Sequence, residues 1–561
     1  MLKMTIVSLL LMSVAIGAYA ESKAKSGDWA RYGFVLAKQD AKPSVKEITI
    51  TVGDNEGGMW WWEMAVEKPD KTTFAVRALS ERVPMTSDLG KVKRYLFKDG
   101  DRPFIEYRDK STGGALLPEF DFRAQLIPCP TPESVFVGAF ATTGAYLGNG
   151  VQMLESGDGR SPAALGDSKV LTLDPTLIVG TGRASRDIDE GRVTDREYNY
   201  RPFTAEEYDE MVAAGTNYFM GGDSEREKMV RELPAFYTKY PVLADFPNIL
   251  YRSNYQGAIM FTDEPAILTN FNDCRRPTDA ANLLRITVAA SVAGGSSYSP
   301  TVLKAHWEQG GVYFGTWKLR QNDIPAWEAV FAAGWHEMEG GVSGVIHEGR
   351  YDINMFNSVL NGFFGQGFEV TTQEMLRLHY AFLRGAARCF DGAWGTSIYG
   401  QADPAISTPA IEMAYDMGAR YIWFWTSDHG HHMPYKEQLD LTRKLRAHEK
   451  AHPRRPISEL LRKPKVAVAL PEGYIGWSEF WPNGIWNNER FGMDKLNEKA
   501  VSYRTILGAA FRQGIDLARK GVQFDFVVDG EPARNAGYDF IISIHTNGTV
   551  ENGVSSSKTG K

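Results

Sequence analysis

The sequence contains little cysteine and no apolar run long enough to cross a membrane comfortably. The three cysteines among 561 residues are Cys129, Cys274 and Cys389. Because they are odd in number and far apart, they form neither a metal-binding spacing nor a disulfide framework. We therefore expect buried free thiols with at most one disulfide bridge. A membrane-spanning helix needs about 20 consecutive apolar residues, and no membrane anchor is expected.

The sequence also lacks the features of nucleic-acid and nucleotide binding. Its net charge is −7 and no run rich in lysine or arginine stands out, so no nucleic-acid partner is expected. No glycine-rich phosphate loop follows the strand-like segment 465–470, so no nucleotide cofactor is implied. With 43% hydrophobic residues the chain has an ordinary globular composition, and its length indicates several domains.

The first twenty residues have the pattern of an export signal. Lys3 precedes an apolar run over 6–16, and residues 18–20 (Ala-Tyr-Ala) have the form of a cleavage site. A charged start, a short apolar segment and a small-x-small site are the parts of a secretory signal peptide. No cysteine stands at the cleavage point, so no lipid anchor is indicated. We expect residues 1–20 to be a signal peptide and the protein to be exported, either periplasmic or secreted.

Residues 21–170 are predicted to be β-rich. Alternating polar and apolar residues over 47–52, followed by an aromatic segment over 60–66, indicate short strands separated by Gly, Asp and Pro. We expect a sandwich-like accessory domain and, over 109–170, an irregular linker. The three consecutive tryptophans that begin at Trp60 favour either a core or an aromatic platform for sugar rings.

From residue 171 to residue 455, apolar segments of strand length alternate with helical segments. The first helix begins at a capping box formed by Thr204 and Glu207, which supplies hydrogen bonds to the first helical turn. The predicted strands are 177–179, 217–220, 235–237, 258–261, 312–317, 342–346, 394–399 and 421–425. Eight strand–helix units of this total length predict a (β/α)8 TIM barrel as the catalytic domain.

A smaller α/β unit is predicted over 460–547. One helix over 501–520 is surrounded by three strand-like segments, which are 465–470, 524–528 and 538–542. This order is typical of a small open α/β sheet. The remaining residues, 548–561, are rich in serine, glycine and lysine, and we expect them to be disordered.

The fourth predicted strand ends in two adjacent carboxylates. The apolar run 258–261 leads to Asp263 and Glu264, and Pro265 follows. A strand buried on both faces has such an apolar run, and α/β barrels carry their active sites at the carboxyl ends of the strands. The alternative is a capping aspartate and a surface glutamate before a helix.

The ends of other predicted strands also carry polar and aromatic side chains. They are Trp317, His347, Glu348, Arg350, Tyr351, Tyr399, Gln401, Asp403, Trp425, Asp428, His429 and His431. Hydrolysis of a glycosidic bond needs one acid to protonate the leaving oxygen and a second carboxylate across the sugar ring. Tryptophan supplies an apolar wall, and polar side chains hydrogen-bond sugar hydroxyls. Together these residues predict a glycoside hydrolase that cleaves an oligo- or polysaccharide without a cofactor.

Three residues are assigned catalytic roles. Glu264 is the predicted proton donor, because repulsion from Asp263 is expected to raise its pKa. Glu348 is the preferred second carboxylate and Asp403 the second choice, while an ion pair with Arg350 is the alternative for Glu348. The other strand-end residues, Asp263 included, are predicted to bind substrate.

The segment from Asp428 to His432 has two interpretations. Aspartate and histidine at short spacing can bind zinc or another divalent ion, which would make the protein a metal-dependent hydrolase that uses Asp428, His429 and His431. The spacing fits no closed structural site, and no cysteine or HExxH motif stands near it. We therefore predict substrate binding and no metal.

The order of the predicted barrel, the Asp-Glu-Pro sequence at 263–265 and the α/β unit after the barrel resemble family-42 β-galactosidases. The resemblance implies a retaining (β/α)8 glycosidase with a flavodoxin-like C-terminal domain that forms a homotrimer, and it carries the acid role to Glu264. That group usually has a nucleophilic glutamate at strand 7, where this chain has Gln401. The departure leaves a non-catalytic carbohydrate-binding barrel as an alternative.

Overall fold

The structure is a computed structural model. It describes residues 25–36, 44–67, 73–81, 92–99, 104–107, 124–127, 139–142, 151–160, 171–173, 176–181, 184–192, 198–220, 224–231, 233–238, 274–293, 330–340, 344–426, 432–475 and 489–554. These residues form a mixed α/β structure with parallel and antiparallel sheets. The predicted signal peptide and the predicted strands 258–261 and 312–317 lie outside the described residues.

The described strands and helices are numbered in chain order. The strands are β1 (Trp29–Leu36), β2 (Ser44–Glu56), β3 (Met59–Glu67), β4 (Thr73–Ser80), β5 (Val92–Asp99), β6 (Ile105–Tyr107), β7 (Ala124–Ile127), β8 (Ala139–Thr142), β9 (Val151–Gly157), β10 (Leu171–Leu173), β11 (Ile178–Thr181), β12 (Ser185–Asp187), β13 (Tyr200–Pro202), β14 (Tyr218–Met220), β15 (Phe236–Thr238), β16 (Gly344–Gly349), β17 (Ala393–Ile398), β18 (Tyr421–Phe424), β19 (Val466–Leu470), β20 (Phe524–Val528), β21 (Phe540–Ile544) and β22 (Val550–Val554). The helices are α1 (Ala205–Ala214), α2 (Ser224–Arg231), α3 (Pro277–Ala293), α4 (Val330–Glu339), α5 (Ile353–Phe364), α6 (Thr372–Cys389), α7 (Pro404–Asp416), α8 (Tyr435–Ala451), α9 (Ile457–Arg462), α10 (Tyr503–Arg519) and α11 (Glu531–Asn535).

The chain divides into two compact units. The first comprises residues 1–175, 221–256 and 293–295, and the second comprises 176–220, 257–292 and 296–561. The predicted barrel segment and the predicted C-terminal α/β segment therefore lie mainly in one unit.

The first unit contains a long antiparallel sheet with the strand order β10-β6-β5-β4-β3-β2-β1-β9, in which the β10–β6 pair alone is parallel. Trp62 is buried and donates a hydrogen bond to Ser80 (2.8 Å), so it is a core residue. Glu63 pairs across the strands with Arg77 at 2.6 Å. The β-rich prediction is confirmed at the level of strands. The interval 109–170, expected to be irregular, contains β7, β8 and β9.

The second unit contains a parallel sheet in which five strands lie in the order β14-β11-β18-β17-β16. The strand pairs β11–β14, β11–β18, β17–β18 and β16–β17 are all parallel. All residues of β11, β17 and β18 are buried, which explains why their sequences are apolar without alternation. The first parallel strand of the unit, β11, thus lies beside the last, β18.

The two faces of this sheet are buried in different surroundings. Ile422 and Phe424 of β18 belong to the main core, which includes the helices. The alternate residue Trp423 is also buried but stacks on Tyr218 of β14, with ring centroids 4.9 Å apart. On β17, Gly395 lies so close to β18 that a Cβ there would be 2.2 Å from the carbonyl oxygen of Tyr421. Glycine therefore leaves the room that the neighbouring strand needs. The sheet therefore has a second apolar layer on the face away from the helices.

Helix α6 lies between the parallel sheet and the C-terminal sheet, and it contacts β16, β17 and β20. A capping box formed by Thr371 and Glu374 fixes its start. Most of its residues from Met375 to Ala387 are buried, as expected for a helix that is covered on more than one side. The main core is continuous from the parallel sheet through α6 to the C-terminal strands.

The C-terminal sheet has the strand order β20-β19-β21-β22. β19 pairs in parallel with β20 and with β21, whereas β21 and β22 are antiparallel. The predicted small α/β unit is thus present as an open sheet that packs against α6 and α10. The segment 548–561, expected to be disordered, contributes strand β22 over Val550–Val554.

Candidate functional site

The predicted site residues that the structure describes lie near the carboxyl ends of β16, β17 and β18. They are His347, Arg350, Tyr351, Tyr399, Gln401, Asp403 and Trp425, together with the backbone of Glu348. The others, Asp263, Glu264, Trp317, Asp428, His429 and His431, lie outside the described residues. Carboxyl strand ends are where side chains from neighbouring parallel strands converge.

Three of these residues form what we call the aromatic stack, which consists of Arg350, Tyr399 and Trp425. The guanidinium carbon of Arg350 lies 4.3 Å from the centre of the Tyr399 ring. That ring stacks on the indole of Trp425 at 5.3 Å with an interplanar angle of 10°. Arg350 and Tyr399 are buried and Trp425 is half-buried, so Trp425 is the member that reaches solvent.

His347 and Tyr351 lie in a different environment from the aromatic stack. His347 is in the middle of a strand that extends to Gly349, and its Nδ1 lies 3.1 Å from the hydroxyl of Tyr351. That hydroxyl also contacts Tyr380 of α6 at 2.8 Å and Thr396 at 2.6 Å. All four side chains are buried. The structure therefore gives His347 and Tyr351 a place in the core between the sheet and α6, instead of the strand-end position that was predicted for substrate binding.

Burial gives His347 an effect on stability that depends on pH. Desolvation, with the nearby His379 as the second cause, holds the pKa of His347 well below its usual value, so the folded chain keeps this imidazole neutral. Below about pH 6.5 the unfolded chain binds a proton that His347 does not, which lowers the free energy of unfolding by about 1.4 kcal/mol per further pH unit. We expect His347→Asn to reduce the slope of unfolding free energy against pH by up to this amount as the pH falls below about 6.5. Urea unfolding at several pH values measures the slope, and an unchanged slope would contradict the prediction.

Asp403 caps a helix. Its Oδ1 accepts a hydrogen bond from the backbone N–H of Ala405 (2.9 Å) at the start of α7. Pro404 occupies the first turn, as is typical just after an N-cap. The second-choice catalytic carboxylate is thus used to satisfy an N–H group of α7. Gln401, two residues earlier, is half-buried, and its Oε1 has no hydrogen-bond partner among the described residues.

The segment that contains Gln401 is bound by an arginine that the sequence analysis did not single out. Arg192 donates hydrogen bonds to the carbonyl oxygens of Gly400 (3.1 Å) and Ala402 (2.6 Å). Its Nε donates to a carboxylate oxygen of Glu437 on α8 at 2.9 Å. Arg192 therefore links the loop that follows β12 to the loop that follows β17. The 245 residues that separate Arg192 and Glu437 leave no local signal for this contact.

His432 is the described member of the predicted histidine cluster. It is fully buried, and its Nε2 lies 3.0 Å from the carbonyl oxygen of Gly191 and 3.3 Å from Oδ2 of Asp187. Its Nδ1 lies 3.0 Å from the hydroxyl of Tyr200. Among the residues that the structure describes, no three His, Cys, Asp or Glu side chains are close enough together to hold a metal ion. His432 thus connects the loops that follow β11 and β18.

A cavity of about 1000 Å³ lies elsewhere in the second unit, among α6, α7, the end of α8 and residues 453–465. Its basic lining residues are Arg377, Arg384, Arg454, Arg455, Arg462, Lys463 and Lys465. None of the predicted site residues that the structure describes lines this cavity.

Comparison of the chain with protein-family models, curated proteins and solved structures finds no match. The resemblance to family-42 β-galactosidases accordingly stays a prediction. Within the described part of the chain, no helix combines the length and apolarity needed to span a membrane.

Proposed function

We propose that the protein is an exported glycoside hydrolase whose catalytic part is a (β/α)8 barrel. The single observation that carries the proposal is the aromatic stack at the carboxyl ends of adjacent parallel strands, with half-buried Trp425 at its solvent side. Aromatic faces pack against the apolar faces of sugar rings, and carbohydrate sites combine such walls with polar groups. Glu348 lies on β16, two residues before Arg350, and so belongs to the same end of the sheet.

The strand order supports the barrel. β11 pairs in parallel with β18 from Ile178 opposite Tyr421 to Thr181 opposite Phe424. In an open doubly wound sheet the first strand is flanked by a strand from the middle of the chain. A barrel closes by pairing its last strand with its first. If the strands are numbered by their place among the eight predicted from the sequence, β14-β11-β18-β17-β16 has the order 2-1-8-7-6, which agrees with closure. The apolar layer that contains Trp423 and Tyr218 also agrees with closure.

In this proposal Glu264 protonates the leaving oxygen and Glu348 is the second carboxylate. Asp403 is less suited to the second role because it caps α7. Arg350 supports the aromatic stack from its buried side, and Trp425 contacts the sugar. Homotrimer formation through the C-terminal segment remains part of the proposal on the resemblance alone.

The test is a set of single substitutions assayed against aryl glycosides and oligosaccharides. We expect Glu264→Gln and Glu348→Gln each to lower kcat by about 10²–10⁴-fold, which is the usual contribution of a general acid or base. Glu412→Gln on α7 is the matched control, because Glu412 is a partly exposed glutamate beside His448, and its turnover should equal that of the wild type. Unchanged turnover in Glu264→Gln would refute its role as proton donor.

Two further results would select the alternatives. Glycan binding that Trp425→Ala weakens, without cleavage of any glycan by the wild type, would identify a non-catalytic carbohydrate-binding barrel. Loss of hydrolysis on addition of a chelator, restored by a divalent ion, would identify a metal-dependent hydrolase that uses Asp428, His429 and His431.

A further inference from the structure

Three side chains beside the parallel sheet, Tyr200, His432 and Asp187, lie in a row, which we call the Tyr200 relay. The hydroxyl of Tyr200 lies 3.0 Å from Nδ1 of His432, and Nε2 of the same ring lies 3.3 Å from Oδ2 of Asp187. The other carboxylate oxygen of Asp187 accepts a hydrogen bond from the backbone N–H of Asn199 (3.1 Å). His432 and Asp187 are buried, whereas Tyr200 is half-buried. A half-buried tyrosine thus contacts a buried histidine–aspartate pair.

The partners of His432 determine which ring nitrogen carries the proton. Nε2 lies 3.0 Å from the carbonyl oxygen of Gly191, and a carbonyl oxygen can only accept. Nε2 therefore carries the hydrogen, and Nδ1 presents its lone pair to the hydroxyl of Tyr200. Asp187 lies beside the protonated nitrogen, so its negative charge stabilises the imidazolium that forms when Nδ1 gains a proton. This is the arrangement of a base held in one tautomer by a third group.

We propose that the Tyr200 relay is a proton-transfer site. As a bound hydroxyl group gives its proton to the phenolic oxygen of Tyr200, the proton of Tyr200 passes to Nδ1 of His432, and the ligand oxygen becomes an oxyanion. The imidazolium that forms balances this negative charge and keeps its Nε2 hydrogen beside Gly191 and Asp187. The ligand class is a molecule with an acidic or nucleophilic hydroxyl group, water included. The proposal goes beyond the two-carboxylate mechanism and does not depend on it.

The position of the relay fits such a role. Tyr200 belongs to a segment that follows β11, and His432 follows β18, which is the neighbour of β11 in the sheet. Met433, next to His432, donates its backbone N–H to the carbonyl oxygen of Trp425 (2.6 Å). Arg192, next to Gly191, binds the segment after Tyr399. The relay is therefore tied through the backbone to the loops that carry the aromatic stack.

A neighbouring tyrosine provides an internal control. Tyr198 is also half-buried, and its ring contacts the same imidazole at 5.1 Å between centroids, against 5.5 Å for Tyr200. The two phenol rings stack at 6.0 Å. If His432 only connects two loops, the two phenols should be similarly reactive, whereas the relay requires a more nucleophilic Tyr200.

The experiment is acetylation of the purified full-length protein by N-acetylimidazole at neutral pH, with rates at individual tyrosines followed by peptide mass spectrometry. In this reaction the phenolic oxygen bonds to the acetyl carbon and the phenolic proton passes to Nδ1. The C–N bond to the acetyl carbon breaks, and the departing imidazolide takes a proton from water and leaves as imidazole. We expect Tyr200 to react at least about tenfold faster than Tyr198, because base assistance commonly contributes 10²-fold or more. Equal rates, or a slower reaction at Tyr200, would overturn the proposal.

Two substitutions separate the relay from simple accessibility. His432→Gln removes the base, and we expect it to lower the rate at Tyr200 to that at Tyr198. If this variant does not fold, as judged by circular dichroism, Asp187→Asn serves in its place, because it keeps the shape but removes the charge that stabilises the imidazolium. A rate at Tyr200 that is unchanged in whichever variant folds would overturn the proposal.

Discussion

Replacing Asp525 by alanine is expected to lower the free energy of unfolding by about 3–5 kcal/mol, which is the usual effect of removing one partner of a buried ion pair. Asp525 is fully buried on β20, and its Oδ1 lies 2.7 Å from Nε of Arg384 on α6, which is only 2% exposed. Tyr538 donates its hydroxyl to the other carboxylate oxygen at 2.9 Å. Burial and the neighbouring carboxylate hold the pKa of Tyr538 well above its usual value, so this hydroxyl remains a donor. Without the carboxylate, the Arg384 charge and the Tyr538 hydroxyl both lose their buried partner.

The same strand leads to a matched control. Asp529 lies four residues further along the chain and pairs with Arg534 at 3.1 Å, but the two side chains are 38% and 52% exposed. Asp529→Ala is therefore expected to cost at most about 1 kcal/mol, as is usual for surface pairs. Urea unfolding followed by circular dichroism compares the two variants. A difference of less than about 1 kcal/mol between them would mean that water or rearrangement compensates for the lost Asp525 carboxylate.

Gly385→Ala is expected to destabilise the protein by about 2–3 kcal/mol, although alanine is the better helix former. A Cβ at residue 385 would lie 2.2 Å from the carbonyl oxygen of Phe526. That oxygen belongs to the backbone of β20, so it can move aside only if the strand moves. The substitution therefore forces α6 away from the C-terminal sheet and opens the packing around Arg384 and Asp525.

Gly362→Ala is the control for the intrinsic preference of the helix. Gly362 lies in α5, where a Cβ would meet only the end of the flexible Arg504 side chain at 3.3 Å. We expect this variant to be as stable as the wild type or more stable by up to about 1 kcal/mol. Thermal unfolding of both variants measures the difference. If the Gly385→Ala variant is as stable as the Gly362→Ala variant, the prediction is wrong, and α6 and β20 can move apart with no loss of unfolding free energy.

Secondary structure with a local cause could be predicted from the sequence. The capping box of Thr204 and Glu207 begins α1, and Gly215, with a φ of 112°, ends it. The buried strands β11, β17 and β18 lie within one or two residues of their predicted positions. In each case the signal is contained in a few consecutive residues, such as a cap, a left-handed glycine or an apolar run.

Predictions about side-chain direction were less successful, because they depend on where a strand ends. The predicted strand 342–346 extends in the structure to Gly349, so His347 lies within the strand and faces α6. In a strand a shift of one residue changes the face on which a side chain lies. Asp403 had a local signal that was not used, since aspartate before Pro404 is typical of a helix start.

Contacts between distant segments had no signal in a single sequence. Tyr200 and His432 are 232 residues apart in the chain, and their hydrogen bond depends on β11 lying beside β18. The aromatic stack was predicted as a set of strand-end residues, but the order Arg350, Tyr399, Trp425 follows from the order of the strands. Only the folded sheet brings these side chains into contact.

The position of α6 between two sheets has a consequence for how this chain can evolve. Because one helix completes the cores on both sides of it, the C-terminal α/β segment is not a module that recombination could exchange or delete. A chain without it would expose the buried face of α6 and leave the Arg384 charge without Asp525. The parallel-sheet segment and the C-terminal segment must therefore be inherited together.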